Sequence, residues 1–158
     1  MSEAVIVSTA RSPIGRAFKG SLKDVRPDDL AVAVITAALD KVPGLDPLLI
    51  EDLYLGCAEP SGEQGSNLAR VVAVLAGYDH LPGSTINRFC ASSVQTTRMA
   101  FHAIKAGEGD AFIAAGVEAV SRYQFGASDT APNAIFKGPG ARTKERSAGE
   151  SSTWTPAE

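Results

Sequence analysis

The sequence predicts an α/β fold, a mostly parallel or mixed sheet with helices packed on it. Three observations carry that reading. Short apolar or β-branched runs alternate with stretches of helical period, in the order strand, helix, strand, helix, strand, helix, strand. Gly or Pro marks most of the junctions. The chain has 158 residues, 44% hydrophobic and 21% charged, which is enough to bury a domain-sized core.

"AVIVSTA", residues 4–10, is short, β-branched and apolar, and Ser12, Pro13 and Gly15 break it, so it predicts a buried strand running into a loop. "RPDDLAVAVITAALDKV" predicts the first helix: Asp28 and Asp29 suit its positive end, and Leu30, Val34, Ala37, Ala38 and Val42 recur at helical spacing. Pro43 and Gly44 end it. "IEDLYLGCA" returns to a strand pattern, "SNLARVVAVLAG" to a helix closed by Gly77, and "STINRFC" to a strand ending at Cys90. "SVQTTRMAFHAIKAG" predicts a third helix ending at Gly107, and "DAFIAAGVEAVS" a strand of very small residues. Such alternation implies right-handed crossovers. On the third helix Val94, Met99, Ala100, Phe101, Ala103 and Ile104 spread over more than one stripe.

From about Arg122 neither period persists. Residues 1–121 therefore read as a core domain, and 122–158, rich in Gly, Pro, Ala and Ser, as the start of a loop region that is partly disordered. Within it, Gly138-Pro139-Gly140 reads as a turn, because the phosphate-loop pattern GxxxxGK[ST] is absent. The segment ends without a helix end or a strand end, which reads as a truncated chain.

A formal net charge of -3 without blocks of like charge gives no electrostatic reason to bind nucleic acid or an anionic membrane. The N-terminus lacks the basic start and apolar core of a signal peptide, and no stretch reaches the roughly 18 apolar residues of a membrane span, so a cytoplasmic protein is expected. Cys57 and Cys90, with no CxxC and no paired histidines nearby, form neither a disulfide framework nor a zinc site. Reduced thiols and no metal are expected.

Cys90 is the candidate nucleophile. Ser92 with Gln95 three residues later makes a capping-box pattern, which would start a helix just past the thiol. A thiol there faces unpaired N–H groups and the positive dipole end, which favours the thiolate. The strand-to-helix turn also leaves N–H groups free to hold an oxyanion. A nucleophilic thiol needs a base, and the chain holds two histidines. His102 lies twelve residues along the same helix, about 18 Å away, and cannot reach. His80, in "GYDHLPG", reads as a solvated turn residue. Cys57, before a Glu-Pro-Ser-Gly loop, reads as structural. Arg11 and Arg16 in "TARSPIGR" read as surface charges on a rigid loop, with anion binding as the alternative. Glu118, amid small apolar residues, must be paired, hydrogen-bonded or protonated if buried, and reads as structural beside the site.

The chain resembles the thiolases, which make or cleave 3-oxoacyl-CoA thioesters. The matching segments are "TARSPIGRAFKGSL", "GEQGSNLARVVAVLAG", "INRFCASSVQ" and "AAGVEAVSRY", in the family's order and at about its spacing over Val5 to Tyr123. Two departures leave the chemistry intact. Ser92 and Ser93 stand where the family often has Gly, and Ala115-Gly116-Val117-Glu118-Ala119-Val120-Ser121 where it often has Gly-Gly-Met-Glu-Ser-Met-Ser. The resemblance implies one half of a layered αβαβα fold, with Cys90 carrying the acyl group and its N–H joining an oxyanion hole. It implies CoA and acyl-CoA as substrates and partners, no further cofactor, and a homodimer or tetramer. It also explains the missing base: the activating histidine, a second catalytic cysteine and an Asn-containing motif belong to the family's second half. A chain limited to the first half is expected to lack turnover and to expose an apolar surface. The competing readings are a non-catalytic binding or assembly module of this fold and a decarboxylating ketoacyl-synthase-type enzyme.

Overall fold

A computed structural model describes residues 3–122. Most of the predicted 122–158 loop region, including the Gly138-Pro139-Gly140 turn, lies outside the described residues.

Helix α1, Pro27–Leu39, has proline in its first turn, where a missing N–H costs nothing, and Asp28 and Asp29 beside it. It buries Ala31 and Ile35, not the predicted stripe, and Ala37 is exposed. Residues 30–38 are apolar except Thr36, so periodicity cannot select a face and packing against the second helix does. Strand β1, Ile50–Gly56, follows, then helix α2, Leu68–Leu75, strand β2, Gly83–Ile86, helix α3, Ser92–Ala106, and strand β3, Ala111–Gly116. Gly77 (φ +84°) and Gly107 (φ +80°) lie just beyond α2 and α3, in the left-handed conformation that suits a residue without Cβ.

The sheet has the order β2-β1-β3, and both described pairings are parallel. Residues 4–10 form no ladder, contrary to the strand prediction. Val5, Ile6 and Val7 are 69%, 77% and 72% exposed. The segment is tied to α1 and the turn after it, where Ser8 Oγ donates to the Ala38 C=O (2.7 Å) and Lys41 Nζ to the Thr9 C=O (2.7 Å). Both hydrogen-bonding edges of the central strand β1 are taken by β2 and β3, so pairing there is closed to it.

Alternation along β1 separates two faces. Leu53, Leu55 and Cys57 join Ala31 and Ile35 of α1 and Leu68, Ala69, Val72 and Ala73 of α2 in the main core. Each large aliphatic side chain buried there contributes about 1.5–3 kcal/mol. On the other face Gly56 meets the start of α3, and Tyr54 stacks on Phe112 at 5.8 Å. Helix α3 buries Ser92, Thr96 and Ala103 while Val94 and Phe101 stay exposed, in keeping with the predicted spread of its apolar groups. The connection β1–α2–β2 thus runs over one face and β2–α3–β3 over the other. The loops leaving β1 and β2 diverge at the carboxyl ends of adjacent strands, the crevice where open α/β sheets place their ligands.

Candidate functional site

Cys90 lies on that side of the sheet, after β2, though not at a strand end. β2 stops at Ile86, Asn87 and Arg88 are irregular, and Phe89–Ala91 make one 3-10 turn before α3 begins at Ser92. The thiol is free and exposed. The predicted capping box does not form. The chain enters α3 through the 3-10 turn, so Ala91 N–H and Ser92 N–H meet the C=O groups of Arg88 and Phe89 instead of a side-chain cap. Ser92 and Gln95 lock the turn from beneath. Ser92 Oγ accepts from Arg88 N–H (2.9 Å) and donates to the Phe89 C=O (2.7 Å), and Gln95 Oε1 accepts from Arg88 Nη1 (2.6 Å).

Phe89, directly before the cysteine, has φ +48°. A left-handed conformation at a non-glycine residue costs on the order of 1–3 kcal/mol. Its N–H donates to Asn87 Oδ1 (2.9 Å) and its C=O accepts from Ser92, two bonds of about 0.5–1.5 kcal/mol each that offset the strain. Below the turn, α3 presses on two glycines. A Cβ on Gly56 would lie 2.7 Å from Ser92 C and 2.8 Å from Ser93 N, and one on Gly116 would collide with Ser93 Oγ. Thr96, fully buried, donates its hydroxyl toward the Ala115 C=O (3.1 Å) and the Ser93 C=O (2.9 Å).

Glu118 joins the loops around this turn. Its carboxylate accepts from Ala58 N–H (2.6 Å), Gln64 Nε2 (2.8 Å), Glu59 N–H (3.4 Å) and the Cys57 thiol (3.7 Å). It is exposed, so hydrogen bonding rather than burial defines it. Gln64, buried, also donates to the Glu59 C=O (2.7 Å) and accepts from Ala119 N–H (2.6 Å). Asn87 Nδ2 donates to the Ala58 C=O (2.9 Å), which links this cluster to the cysteine turn. Gln64 and Asn87 carry no role in the sequence reading; both lie inside the quoted segments, yet only tertiary contacts reveal what they hold.

Cys57 is 1% exposed, and burial, reinforced by the Glu118 charge, pushes its thiol up to about 12. It is a core residue. His80 lies against the Pro47 C=O (3.2 Å), and His102 Nε2 accepts from Arg98 Nε (3.2 Å). Neither histidine is brought to Cys90. Arg11 donates to the Ser12 C=O at 3.4 Å, while the Arg16 C=O accepts from Gly20 N–H (2.6 Å) in a turn, which fits the rigid-loop reading. A second polar cluster ties the edges together: Arg26 pairs with buried Asp28 (2.6 Å) and with Glu63 (2.9 Å), which Arg122 also holds. Among the described residues no group of three or more His, Cys, Asp or Glu could hold a metal ion, and no helix is long and apolar enough to cross a membrane.

The model for the thiolase N-terminal domain matches residues 4–147. The chain belongs to the thiolase family. It is 45% identical over 132 residues to a beta-ketoadipyl-CoA thiolase of Pseudomonas knackmussii, covering 82% of this chain and 33% of that protein. It is 44% identical over 134 residues to a 3-ketoacyl-CoA thiolase of Bacillus subtilis, covering 84% and 34%. Among solved structures it is similar to an acetyl-CoA acetyltransferase of Bacillus anthracis, with a TM-score of 0.71 and 36% identity over 77% of this chain and 30% of that one. The chain spans about a third of the length of the curated relatives it matches. The four thiolase-like segments converge at the carboxyl edge of the sheet. Phe18 N–H donates to Ser121 Oγ (2.8 Å), Gln64 bonds Glu118, and Asn87 reaches the loop after β1.

Proposed function

We propose that this chain is the nucleophile-bearing part of a thiolase, an acyl-CoA C-acyltransferase in which Cys90 carries the acyl group as a thioester. One observation supports the reading above others: the exposed thiol occupies a held, strained turn that Asn87 ties to the loop after β1. In the degradative direction, Cys90 Sγ adds to the keto carbonyl of a 3-oxoacyl-CoA. The bond between C2 and C3 breaks, its electron pair stays on the acetyl-CoA carbanion, and that carbon takes a proton. The thiol of CoA then displaces Cys90 and carries away the shortened acyl chain. Sulfur suits both steps because it is a good nucleophile and a good leaving group. The Cys90 N–H contributes to holding the oxyanion.

The substrates in this reading are CoA and acyl-CoA, no prosthetic group takes part, and the working assembly is a cytoplasmic homodimer or tetramer. The base that receives the Cys90 proton lies outside the described residues, because His80 and His102 are engaged elsewhere. By itself, then, the 158-residue chain is expected to acylate at best once and not to turn over. That same lack of a local base favours the runner-up, a thiolase-like binding module without catalysis.

The intact mass of the purified chain after exposure to acetyl-CoA, with Cys90→Ala alongside, separates the two. One acetyl group that disappears in the variant supports the acyl carrier. Acetylation unchanged by the substitution overturns it, and sustained thiolysis by the chain alone overturns the inactivity.

A further inference from the structure

We propose that Asn87 is a positioning residue for the Cys90 thiol, its amide relaying the fixed geometry of the Glu118-anchored loop to the strained residue that precedes the cysteine. The inference rests on reading Cys90 as the nucleophile, since only then does the thiol's orientation matter to function.

Asn87 uses both ends of its amide: Nδ2 donates to the Ala58 C=O and Oδ1 accepts from Phe89 N–H, each at 2.9 Å. Ala58 is not a loose anchor, because its own N–H is bound at 2.6 Å by the Glu118 carboxylate, which Gln64 also holds. The path therefore runs from the loop after β3, through the loop after β1, to the turn after β2. Its Asn87–Ala58 link lies one residue beyond the last backbone bond between β1 and β2, from Cys57 N–H to the Ile86 C=O (3.0 Å), and joins the two chains where they leave for helices on opposite faces of the sheet.

At the far end the relay meets the residue that most needs holding. Phe89 adopts a left-handed conformation without glycine's freedom, and its side chain is exposed, so core packing does not impose that backbone. Its C=O is fixed by Ser92 from the α3 side, and its N–H by Asn87 from the sheet side. Releasing the N–H lets Phe89 relax toward an ordinary conformation, and that rotation swings Cys90 away from the beginning of α3. A hydrogen bond of ordinary net strength corresponds to up to about a tenfold change in the population of the held turn.

The test uses the whole 158-residue chain and no acyl-CoA, so it can fail while the acyl-carrier reading stands, and the reverse. Wild type, Asn87→Ala and Asn87→Asp are compared by amide hydrogen exchange at Phe89 and by the rate of Cys90 alkylation with iodoacetamide. Exchange along α3 serves as the fold control. Asn87→Ala is expected to speed Phe89 exchange about tenfold and to slow Cys90 alkylation at least threefold. Asn87→Asp keeps the acceptor for Phe89 N–H but loses the donor to the Ala58 C=O, and is expected still to exchange Phe89 at least threefold faster than wild type. Alkylation of Asn87→Ala within twofold of wild type, despite faster Phe89 exchange, overturns the proposal. So does wild-type Phe89 protection in Asn87→Asp, which would show that the Ala58 end of the amide relays nothing. If Asn87→Ala loses α3 protection, Asn87→Asp decides alone by its Phe89 exchange.

Discussion

Ser93, in the first turn of α3, fills the space that a side chain on Gly116, the last residue of β3, would need. The same helix start touches Gly56 on β1, so the turn bearing Cys90 is seated on two glycines from adjacent strands. An alanine at 56 would meet the backbone of Ser92 and Ser93 and must therefore lift α3 or shift β1. Gly56→Ala is expected to cost about 1–3 kcal/mol in urea unfolding, as overpacking of a close contact does. Gly44 has open space around its Cα and no left-handed backbone, so Gly44→Ala should instead stabilise by about 0.4–1 kcal/mol.

The two thiols should separate cleanly. Cys90 is exposed and Cys57 buried, so native-state alkylation should label Cys90 and leave Cys57 until the chain unfolds, as peptide mass mapping would show. With its pKa raised to about 12, Cys57 keeps its proton in the folded chain where the unfolded chain has lost it. The folded state then binds more protons, so this contribution is complete below about pH 9 and declines as pH rises towards 12. The alkaline slope of stability should flatten in Cys57→Ala.

Gln64 bridges Glu118 and Ala119 from a buried position. Gln64→Ala leaves Ala119 N–H without its acceptor and takes one donor from Glu118. A loss of about 1–3 kcal/mol is expected in urea unfolding. A change below about 0.5 kcal/mol, the range of ordinary surface substitutions, would show that water replaces the bridge.

Acid stability should depend on Arg26. Burial alone would raise the Asp28 carboxyl, but the hydrogen bonds from Arg26 and Asp29 N–H outweigh it and hold the group below its ordinary value. The hydrogen bond from Arg122 holds Glu63 below its own ordinary value, and Arg26 adds to the effect. Depressed carboxylates make the unfolded chain the stronger proton binder. Their contribution is present above about pH 4–5 and is lost as pH falls through the folded values. In Arg26→Gln the acid-unfolding midpoint, followed by far-ultraviolet circular dichroism, should move to higher pH.

The order of the elements and most of their ends were legible because single residues enforce them. Pro27 opens α1, and Gly77 and Gly107 follow α2 and α3 in conformations that other residues adopt at a cost. The segment around Cys90 singles it out as the candidate, and the lack of a cap beside Cys57 marks that residue as the core thiol it is. The buried face of α1 was not, because a run of small apolar residues reads the same from several sides. The misread strand at 4–10 has the composition of a strand and no free edge on β1 to join.

Sequence by itself therefore determined the α/β class, the alternation of elements, the family and the cysteine worth attention, all of which are encoded in local pattern and short motifs. Tertiary structure decided that Ser92 and Gln95 brace a turn instead of capping a helix, and that Asn87, Gln64 and Glu118 bind three loops into one edge. It also decided that neither histidine meets the thiol. The reason is physical: a hydrogen bond joins groups by distance and angle, and residues such as Gln64 and Glu118, 54 positions apart, acquire that geometry only when the sheet brings their loops together.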